Sequence, residues 1–572
     1  MEREMMLYKK WLNCSLEDAD LLSELKTIEN DTDAIYDRFY TDLAFGTAGL
    51  RGVIGAGTNR MNIYTVCRAT QGVALMLKAK KQNPSVAISY DSRIKSDVFA
   101  KAAAAVLASN GIKVHITDRL MPTPVLSFCV RYFNCDAGIM ITASHNPSEY
   151  NGYKAYGSDG CQMNESDSAE VLRYAESVDV LESAPTVEFD KALESGVISY
   201  VEQSVYEQYY NKVMGVCTNP DVFKSADLKI VYTPLNGTGN EPVREMFNRV
   251  GLKNVSVVKE QQMPDGNFTT CPYPNPEIKE VLALGLEQCE KEGADLLVAT
   301  DPDADRVGIA VRDKNGELKL LSGNAVGVLM LDYIAKMRLE KGTMPQNPIA
   351  VKSIVTTALA ERVAENYGVE MINVLTGFKY IGEQIRLLEE KGEENRFLMG
   401  YEESYGYLSG SFVRDKDAVI GSLIIAEMAC FYNSLNKTLI EVYDEIEKKY
   451  GVYHHAVDSF TFKGFSGMQK MQEIMSFLRE NSPKQIGGLK VLAICDYKAQ
   501  TRYNLENGQK DKINLPVSDV LEFCLENHSA LIVRPSGTEP KIKFYYTVVS
   551  DSLDKAQKLK ESLAEFSKEM TK

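Results

Sequence analysis

The feature that most restricts the fold of this chain is a recurring order of elements: a short apolar segment, a loop of small or polar residues, and a helix. Residues 85–90, 137–141, 296–299 and 349–352 are apolar segments of this kind. Short apolar runs that alternate with helical patterns are typical of α/β layers. The length of 572 residues also allows roughly four domains.

The pattern changes from about Val452, where strand patterns mix with amphipathic helices at 468–480 and 553–570. This mixture indicates an α+β domain with an antiparallel sheet. We therefore predict three α/β domains over residues 1–215, 216–325 and 326–450, followed by the α+β domain over residues 451–572. The third α/β domain is expected to end in one long helix near Tyr450.

Net charge limits the class of partner. Lys and Arg number 64 and Asp and Glu number 79, which gives a formal net charge of −15. A surface this acidic repels nucleic-acid phosphates and anionic lipids, so we expect neither nucleic acid nor a membrane as partner. A small anionic ligand stays compatible, because a few cations can converge in one cleft.

The cysteines and the N-terminus indicate the compartment. The 11 cysteines are scattered from Cys14 to Cys524 without a Cys-x-x-Cys pair, which predicts neither a disulfide framework nor a zinc site. The first residues are charged, and no apolar signal-peptide core follows them. The most hydrophobic stretch, 418–431, is interrupted by Glu427 and is too short to span a bilayer. We therefore expect a cytoplasmic protein.

A serine and a histidine follow one of the buried strands, in the loop 142–147. The carboxyl end of a strand is where α/β folds expose reactive groups, so Ser144 and His145 are candidates for chemistry. A helix cap or a turn explains the same residues, because Ser, Asn and Pro all favour turns. The esterase pattern Gly-x-Ser-x-Gly is absent, which disfavours an acyl hydrolase.

Three aspartates alternate in the loop 301–306, again after an apolar strand. Carboxylates this close repel one another unless they share a hard cation, so a metal site is favoured over a solvated acidic turn. An EF-hand is excluded by spacing, because Arg306 and Arg312 occupy the positions of its Gly and Glu. Arg306 suits a phosphate held beside the metal.

Two further loops carry polar groups suited to a sugar phosphate. In the loop 400–406, Glu402 and Ser404 could bind sugar hydroxyls, although a charged surface loop is the simpler interpretation. The loop 534–540 offers a guanidinium, two hydroxyls and a Gly, which together make a phosphate cradle or an ordinary turn. Its residues are Arg534, Ser536, Gly537 and Thr538. Other cations in turn or Gly-rich contexts are Arg51, Lys154, Lys379 and Lys416.

In this order along the chain, the four loops together resemble those of the α-D-phosphohexomutases, and of their phosphoglucomutase branch in particular. The resemblance covers nearly the whole length and includes the segments 45–52, 376–379 and 414–417. It implies three related α/β domains and a smaller C-terminal α+β domain around a central cleft. It also implies an isomerase that acts as an intramolecular phosphotransferase on a small sugar phosphate, as a monomer or weak dimer.

By this resemblance, Ser144 is the residue that carries the transferred phosphoryl group as phosphoserine. The cofactor is Mg²⁺, held by Ser144, Asp301, Asp303 and Asp305. Glucose 1-phosphate and glucose 6-phosphate interconvert through glucose 1,6-bisphosphate, which is both intermediate and activator. Arg51, Lys154 and His145 flank the transferring group, with either Lys154 or His145 as general acid/base.

The resemblance also assigns residues to the substrate. They are Arg306, Thr376, Lys379, Glu402, Ser404, Arg414, Lys416, Arg534, Ser536, Gly537 and Thr538. One position departs from the family's pattern, because Tyr401 precedes Glu402 where many members have Gly. The form of the 376–379 loop favours glucose 1-phosphate, while phosphomannomutase and phosphopentomutase activities remain open.

Two other functions account for part of the pattern. A haloacid-dehalogenase-type phosphatase would use Asp301 as nucleophile, but the position of Asp305 usually holds Thr or Val in that family, and the serine and Arg534 loops stay unexplained. A non-catalytic sugar-phosphate sensor would keep the phosphate cradle, yet it has no need of Ser144 or of three metal carboxylates.

Overall fold

The computed structural model describes residues 2–43, 45–46, 49–182, 187–462, 465–536 and 541–572. The elements of the first α/β unit are α1 (Glu2–Asn13), α2 (Ala19–Thr27), α3 (Thr32–Phe39), β1 (Gly49–Val53), α4 (Ile63–Lys80), β2 (Ser85–Tyr90), α5 (Ser96–Ser109), β3 (Lys113–Ile116), α6 (Thr123–Tyr132), β4 (Ala137–Ile141), β5 (Tyr150–Gly157), α7 (Glu165–Glu176), α8 (Phe189–Glu194), β6 (Ile198–Tyr200) and α9 (Gln203–Met214).

The second α/β unit contains β7 (Ile230–Thr233), α10 (Asn240–Arg249), β8 (Val255–Val257), α11 (Lys259–Gln262), α12 (Ala283–Glu292), β9 (Leu296–Thr300), β10 (Val307–Arg312) and β11 (Leu318–Leu321). The third contains α13 (Gly323–Glu340), β12 (Ile349–Ser353), α14 (Leu359–Asn366), β13 (Glu370–Val374), α15 (Phe378–Glu389), β14 (Phe397–Glu402), β15 (Gly406–Leu408), α16 (Ala418–Ser434) and α17 (Leu439–Tyr450).

The C-terminal unit contains β16 (Val452–Thr461), α18 (Phe465–Glu480), β17 (Gln485–Ile486), β18 (Leu489–Asp496), β19 (Thr501–Asn504), β20 (Lys510–Lys512), β21 (Leu521–Leu525), β22 (Ala530–Pro535), β23 (Lys541–Ser550) and α19 (Leu553–Thr571). Short 3₁₀ helices lie at Val180–Glu182, Pro220–Ser225, Lys279–Leu282, Glu394–Arg396 and Glu526–His528.

The three α/β units share one strand order. The strands lie as β3-β2-β4-β5 in the first sheet, β8-β7-β9-β10 in the second and β13-β12-β14-β15 in the third. In each set the first three strands are parallel, and the fourth is antiparallel to the third. The central strands β4 and β9 are buried along their whole length, as strands covered by helices on both faces must be. The units are topological repeats, which confirms the predicted fold class.

The loop after the third strand of each repeat carries one of the predicted motifs. Ser144 follows β4, Ala304 lies in the acidic loop after β9, and Tyr405 follows β14. All three adopt the left-handed backbone region, with φ of 52°, 47° and 64°. Residues other than Gly rarely do so, at a cost on the order of 1–3 kcal/mol, and such strain concentrates at functional sites. The repeats therefore place three tight, strained turns at equivalent positions.

The C-terminal sheet is antiparallel and runs in the order β16-β23-β22-β21-β18-β19-β20. Helices α18 and α19 cover one of its faces, with apolar residues such as Met475 and Leu563 in the core between them. The other face contacts the third unit, where Val355 and Leu375 pack with Ile532 and Tyr545. The sheet therefore packs one face on the third unit and is covered by its own two helices on the other.

Three boundaries differ from the predictions. The expected long helix near Tyr450 is two helices, because Thr438 and Glu441 form a capping box that starts α17 after α16 has ended. Strand β14 extends through Glu402, and β22 extends to Pro535, so each motif begins on its strand rather than after it. The domain limits at 215, 325 and 450 stay predictions, although each falls between two sheets.

Among the described residues, no single helix has the length and apolar composition to cross a membrane, and one pair, α16 with α17, meets these criteria only when taken together across a bend of 86°.

Tyr401, the departure from the family's pattern, faces the protein core. Its side chain is 1% exposed, and its ring stacks on that of Tyr407 at a centroid distance of 6.3 Å. On the facing helix α13, a Cβ added at Gly327 would lie 2.1 Å from the Tyr401 ring. The absence of a side chain at Gly327 therefore makes room for Tyr401. Because strand residues alternate in direction, Glu402 points the opposite way.

We expect Gly327→Ala to lower the midpoint of thermal unfolding in the native background, because the added methyl overpacks the contact with Tyr401 by about 1–3 kcal/mol. In a Tyr401→Ala background the same change should be neutral or stabilising, since the methyl enters the space that the ring has left. Calorimetry of the four proteins measures the coupling. Equal losses in both backgrounds would contradict the packing argument.

Candidate active site

Ser144 lies opposite the first aspartate of the acidic loop. Its Oγ donates a hydrogen bond to Asp301 Oδ2 over 2.9 Å and lies 3.2 Å from His145 Nδ1. The Thr142 hydroxyl accepts a hydrogen bond from the Ser144 amide over 2.7 Å, which stabilises the turn. Ser144 is 3% exposed. A hydroxyl from the first repeat and a carboxylate from the second thus meet at the boundary between them.

Arg93 fixes the backbone of the serine loop, and the sequence analysis did not single it out. Its guanidinium donates hydrogen bonds to the carbonyl oxygens of Ser144, Asn146, Pro147 and Tyr150. Asp91 Oδ2 lies 3.4 Å from Arg93 Nε, and both side chains are fully buried. Burial lowers the pKa of Arg93 and raises that of Asp91, while the opposite charge resists each shift. The sequence signal that could have identified Arg93 is the polar run 91–93 at the end of β2, the strand beside β4.

The carboxylates of Asp301, Asp303 and Asp305 converge. One oxygen of each lies within 4.8 Å of the others, and all three residues are buried. Within the described structure, Asp303 Oδ1 and Asp305 Oδ1 have no hydrogen-bond partner. Buried acceptors without partners are costly, and a hard divalent cation would satisfy them. The donor set therefore fits Mg²⁺.

Two lysines offset the charge of the acidic loop. Lys154 Nζ lies 2.7 Å from Asp303 Oδ2 and 3.3 Å from Asp305 Oδ2, and Lys416 Nζ lies 3.4 Å from the latter oxygen. Burial lowers the pKa of each lysine, but attraction to the carboxylates outweighs it and raises the pKa above its ordinary value. Burial and the neighbouring carboxylates raise the pKa of Asp301 well above its usual range. Both lysines therefore stay protonated at neutral pH.

The acidic loop is held from two sides. A Cβ at Gly237 would lie 2.5 Å from Pro302 Cα, so the turn before α10 can approach the loop only with Gly there. Thr238 donates to the Pro302 carbonyl from its amide over 2.8 Å and from its hydroxyl over 3.0 Å. From the first repeat, Thr123 donates to Asp303 Oδ2 through its hydroxyl over 2.7 Å. These contacts fix the loop between the two repeats.

His145 and Arg51 lie on the serine side of the site. Burial, with the cations Arg306 and Arg51 nearby, lowers the pKa of His145 well below its ordinary value, so the imidazole is neutral at pH 7. Arg51 Nη1 donates to Asn146 Oδ1 over 3.0 Å. A neutral imidazole can accept a proton, whereas the ammonium group of Lys154 can donate one.

A cavity of about 1580 Å³ opens beside this centre, and all four domains border it. The predicted residues on its wall are His145, Arg306, Thr376, Lys379, Glu402, Ser404, Arg534 and Ser536. Its volume exceeds the roughly 300–1,000 Å³ of a typical small-molecule pocket. The predicted central cleft is present, with space for a ligand to change its orientation.

The third repeat contributes polar groups to one wall of the cavity. Glu402 Oε1 accepts a hydrogen bond from the Gly377 amide over 2.7 Å, and burial raises the pKa of Glu402. Gly377 has a φ of 125°, a conformation that favours Gly. Thr376 Oγ1 is buried and has no hydrogen-bond partner among the described residues. Lys379 Nζ lies 3.6 Å from Glu165 Oε1, which directs it across the cavity towards the first domain.

The C-terminal domain presents two cations to the cavity. Arg534 of β22 lies directly across from Lys543 of β23, and both border the cavity. Burial and the neighbouring cations Lys541 and Arg534 lower the pKa of Lys543. The sequence analysis missed Lys543, although its position opposite Arg534 follows once the hairpin register is known. Two predicted ligands, Gly537 and Thr538, lie outside the described residues, as do Thr47 and Ala48 of the segment 45–52.

Arg414, which the resemblance assigns to the substrate, is buried between the third repeat and the first. Its side chain is fully buried, pairs with Glu389 Oε2 over 2.6 Å, and does not border the cavity. Its amide donates to Ser127 Oγ over 3.0 Å, and burial lowers its pKa. Arg414 therefore connects the third repeat to the first. The contact of Arg414 with substrate stays a prediction, and its side chain lies away from the cavity wall in this structure.

Comparison with known proteins agrees with this architecture. Family models described as phosphoglucomutase/phosphomannomutase α/β/α domains I, II and III match residues 42–181, 207–316 and 322–450. A phosphoglucomutase of Staphylococcus haemolyticus is 39% identical over 517 residues, which cover 90% of this chain and 92% of that protein. A phosphoglucomutase of Staphylococcus aureus is 38% identical over 525 residues, covering 91% and 92%.

Solved structures share the fold at lower identity. Parafusin from Paramecium, a phosphoglucomutase in its open form, has a TM-score of 0.69 at 18% identity, covering 93% of this chain and 95% of that one. A phosphoglucomutase/phosphomannomutase family protein of Burkholderia thailandensis has a TM-score of 0.65 at 17% identity, covering 92% and 97%.

A buried serine faces an acidic triad beside a cleft that three α/β repeats and one α+β domain border. Together with relatives named phosphoglucomutase, this arrangement identifies an enzyme of the isomerase class, an intramolecular phosphotransferase. With relatives this similar over nine-tenths of its length, the chain belongs to the phosphoglucomutase/phosphomannomutase family, the α-D-phosphohexomutases. The predicted family is confirmed.

We expect Arg93→Lys to lower kcat about a hundredfold, because a lysine cannot bond four carbonyl oxygens and a displacement of about 1 Å at a reacting group costs that much. KM for the sugar phosphate should change little, since Arg93 does not border the cavity. Steady-state kinetics measures both parameters.

The matched control is Arg249→Lys, at an ion pair with Glu207 away from the site, which should leave kcat unchanged. A kcat of Arg93→Lys within twofold of the native value would overturn the assigned positioning role.

Proposed function

We propose that the protein interconverts glucose 1-phosphate and glucose 6-phosphate through a phosphoserine at Ser144 and glucose 1,6-bisphosphate. The observation that carries the proposal is the 2.9 Å contact between Ser144 Oγ and Asp301 Oδ2. It brings a hydroxyl to the edge of a buried acidic triad, beside a cleft whose wall carries Arg534 and Lys543. Names of relatives 38–39% identical to this chain support glucose as the sugar.

The chemical step transfers one phosphoryl group between two oxygens. The bond from phosphorus to Ser144 Oγ breaks while a sugar hydroxyl oxygen forms a bond to the same phosphorus. The sugar hydroxyl gives up its proton, and the serine oxygen takes one. His145, neutral and 3.2 Å from Ser144 Oγ, can accept a proton, and the ammonium group of Lys154 can supply one. The reverse step at the other end of the bisphosphate regenerates phosphoserine.

The carboxylates of the acidic loop would hold the expected cofactor, Mg²⁺. Mg²⁺ held by Asp301, Asp303, Asp305 and a phosphoserine oxygen would neutralise the charge on the transferred group. Lys154 and Lys416 already compensate these carboxylates, and Thr123 orients Asp303. Phosphoryl transfer needs alignment of the reacting groups and compensation of their charge more than covalent assistance from the protein. These residues can supply both.

The opposite wall accounts for the second phosphate of the bisphosphate. Arg534 and Lys543 supply cations, and Ser536 a hydroxyl, for the phosphate that is not being transferred. Glu402 and Ser404 can hold sugar hydroxyls between the two ends. Because one serine must serve both ends, the bisphosphate has to turn around, and the volume of about 1580 Å³ supports this.

Two competing functions are less consistent with the site. A haloacid-dehalogenase-type phosphatase would use Asp301 as nucleophile, which leaves Ser144, 2.9 Å from Asp301 Oδ2, and the cations Arg534 and Lys543 on the cavity wall without a role. A sugar-phosphate sensor would not need buried carboxylates with unpaired oxygens. A cytoplasmic location is part of the proposal, and the free state of the described cysteines supports it.

We expect Ser144→Ala to lose turnover by several orders of magnitude, because no oxygen is left to carry the phosphoryl group. Binding of glucose 1-phosphate should persist, since the cavity walls are unchanged. Intact mass and phosphopeptide mapping after incubation with glucose 1,6-bisphosphate should locate one phosphoryl group on Ser144 in the native protein and none in the variant. The control Ser434→Ala, on an exposed helix end, should behave as native. A phosphoryl group on Asp301, or normal turnover by Ser144→Ala, would refute the mechanism.

We also expect kcat/KM to be highest for glucose 1-phosphate when it is compared with mannose 1-phosphate and ribose 1-phosphate. Glu402 and Thr376 border the cavity, where they could bind the hydroxyls of a hexose. A site that hydrogen-bonds a particular hydroxyl discriminates against a sugar that lacks it or presents it in another orientation. A higher kcat/KM for mannose or ribose 1-phosphate would reassign the sugar while leaving the phosphoserine mechanism intact.

A further inference from the structure

We propose that Cys495, Glu522 and Cys524 form a second metal site, for a thiophilic divalent cation of the Zn²⁺ class. The three residues lie on two neighbouring strands of the C-terminal sheet, β18 and β21. One ligand atom of each lies within 4.8 Å of the other two. Cys495 is 6% exposed, and the other two residues are half-buried. Two sulfurs and a carboxylate supply three corners of a tetrahedral site and leave the fourth for water.

The sheet register explains why these side chains meet. Cys495 lies directly across from Glu522, and Cys524 is two residues further along the same strand, so all three project from one face. A bulge between Val491 and Ala493 shifts the register beside Cys524. No Cys-x-x-Cys motif exists, so the spacing of the cysteines could not predict the cluster.

Neighbouring residues orient the carboxylate of the cluster and offset its negative charge. Tyr497 donates its hydroxyl to Glu522 Oε2 over 2.6 Å, as outer-shell groups do for metal-binding carboxylates. Arg502 lies directly across from Cys495 on β19. Two thiolates and a carboxylate carry three negative charges, which the divalent cation and Arg502 together would balance.

Ligand chemistry separates this site from the acidic triad. Thiolates prefer Zn²⁺ and similar soft cations, whereas the carboxylates of Asp301, Asp303 and Asp305 prefer Mg²⁺. The two clusters lie in different domains, so each can be loaded while the other holds its own cation.

One row of directly paired residues across the sheet connects the cluster to the cleft. From Cys495 the register runs through Glu522 and Ile532 to Tyr545, which borders the cavity. Cys495, Ile532 and Tyr545 also pack with Val355 and Leu375 of the third repeat. A cation there would hold two strands of the face with which the C-terminal domain contacts the third repeat.

The test uses Co²⁺ as a spectroscopic probe of the full-length protein. The protein is kept reduced, stripped of metal with a chelator and supplied with excess Mg²⁺, so that the triad is filled. We expect about one equivalent of Co²⁺ to give a thiolate-to-cobalt charge-transfer band and visible bands of tetrahedral intensity. Cobalt held by carboxylates alone gives no such band, so the acidic triad cannot imitate the result.

Cys495→Ser and Cys524→Ser should each abolish the charge-transfer band, while Cys430→Ser, at a buried cysteine in α16, should keep it. Tyr497→Phe should weaken Zn²⁺ binding about 10- to 100-fold in competition with a chromophoric chelator, without loss of fold by circular dichroism. Mutase turnover of Cys524→Ser should stay native.

Absence of the band at excess Co²⁺ would overturn the proposal, as would its survival in both serine variants. A Cys495–Cys524 disulfide in protein purified without reductant, together with no cobalt band after reduction, would also overturn it and identify the pair as a redox couple.

Discussion

The contact between the Ser144 hydroxyl and the Asp301 carboxylate is the interaction on which the rest of the site depends. It joins two repeats, so the distance is set by packing rather than by local sequence. Arg93 holds the serine side through the backbone, and Thr123 holds the aspartate side. Since three buried carboxylates repel one another, the lysines beside them are as necessary as the contact itself.

The net charge of the whole chain differs in sign from the side chains that could bind an anion at the cavity. The chain as a whole is acidic, with a formal net charge of −15, yet Arg306, Lys379, Arg534 and Lys543 all border one cavity. The attraction that an anionic ligand meets there is local, because acidic residues border the same cavity and pair with two of these cations, Glu277 with Arg306 and Glu165 with Lys379. Burial strengthens that attraction, because the cations face a cleft with less water around them.

Local patterns predicted the elements and the motifs, while packing decided the rest. Strands such as β4 and β9 and the motif residues Ser144 and Asp301 were recognisable because their signals lie within a few positions of one another. Arg93 was missed because its contacts are with carbonyl oxygens about 50 residues away, which have no side-chain signature. The ion pair of Arg414 was not predicted for the converse reason, because Arg414 shares a motif with Lys416 but its side chain pairs with Glu389. The family resemblance supplied the roles, and only the register of β22 and β23 revealed Lys543.

The equivalent turns of the three repeats have a consequence for how such an enzyme can diverge. In the proposed function, the nucleophile, the cation ligands and the sugar contacts each follow the third strand of a separate repeat. A mutation in one copy can change a single property, such as the hydroxyl pattern that is accepted, while the other copies keep the phosphorus chemistry intact. Repeats with separate roles thus make a modular catalyst, in which the substrate range can change without rebuilding the reaction centre.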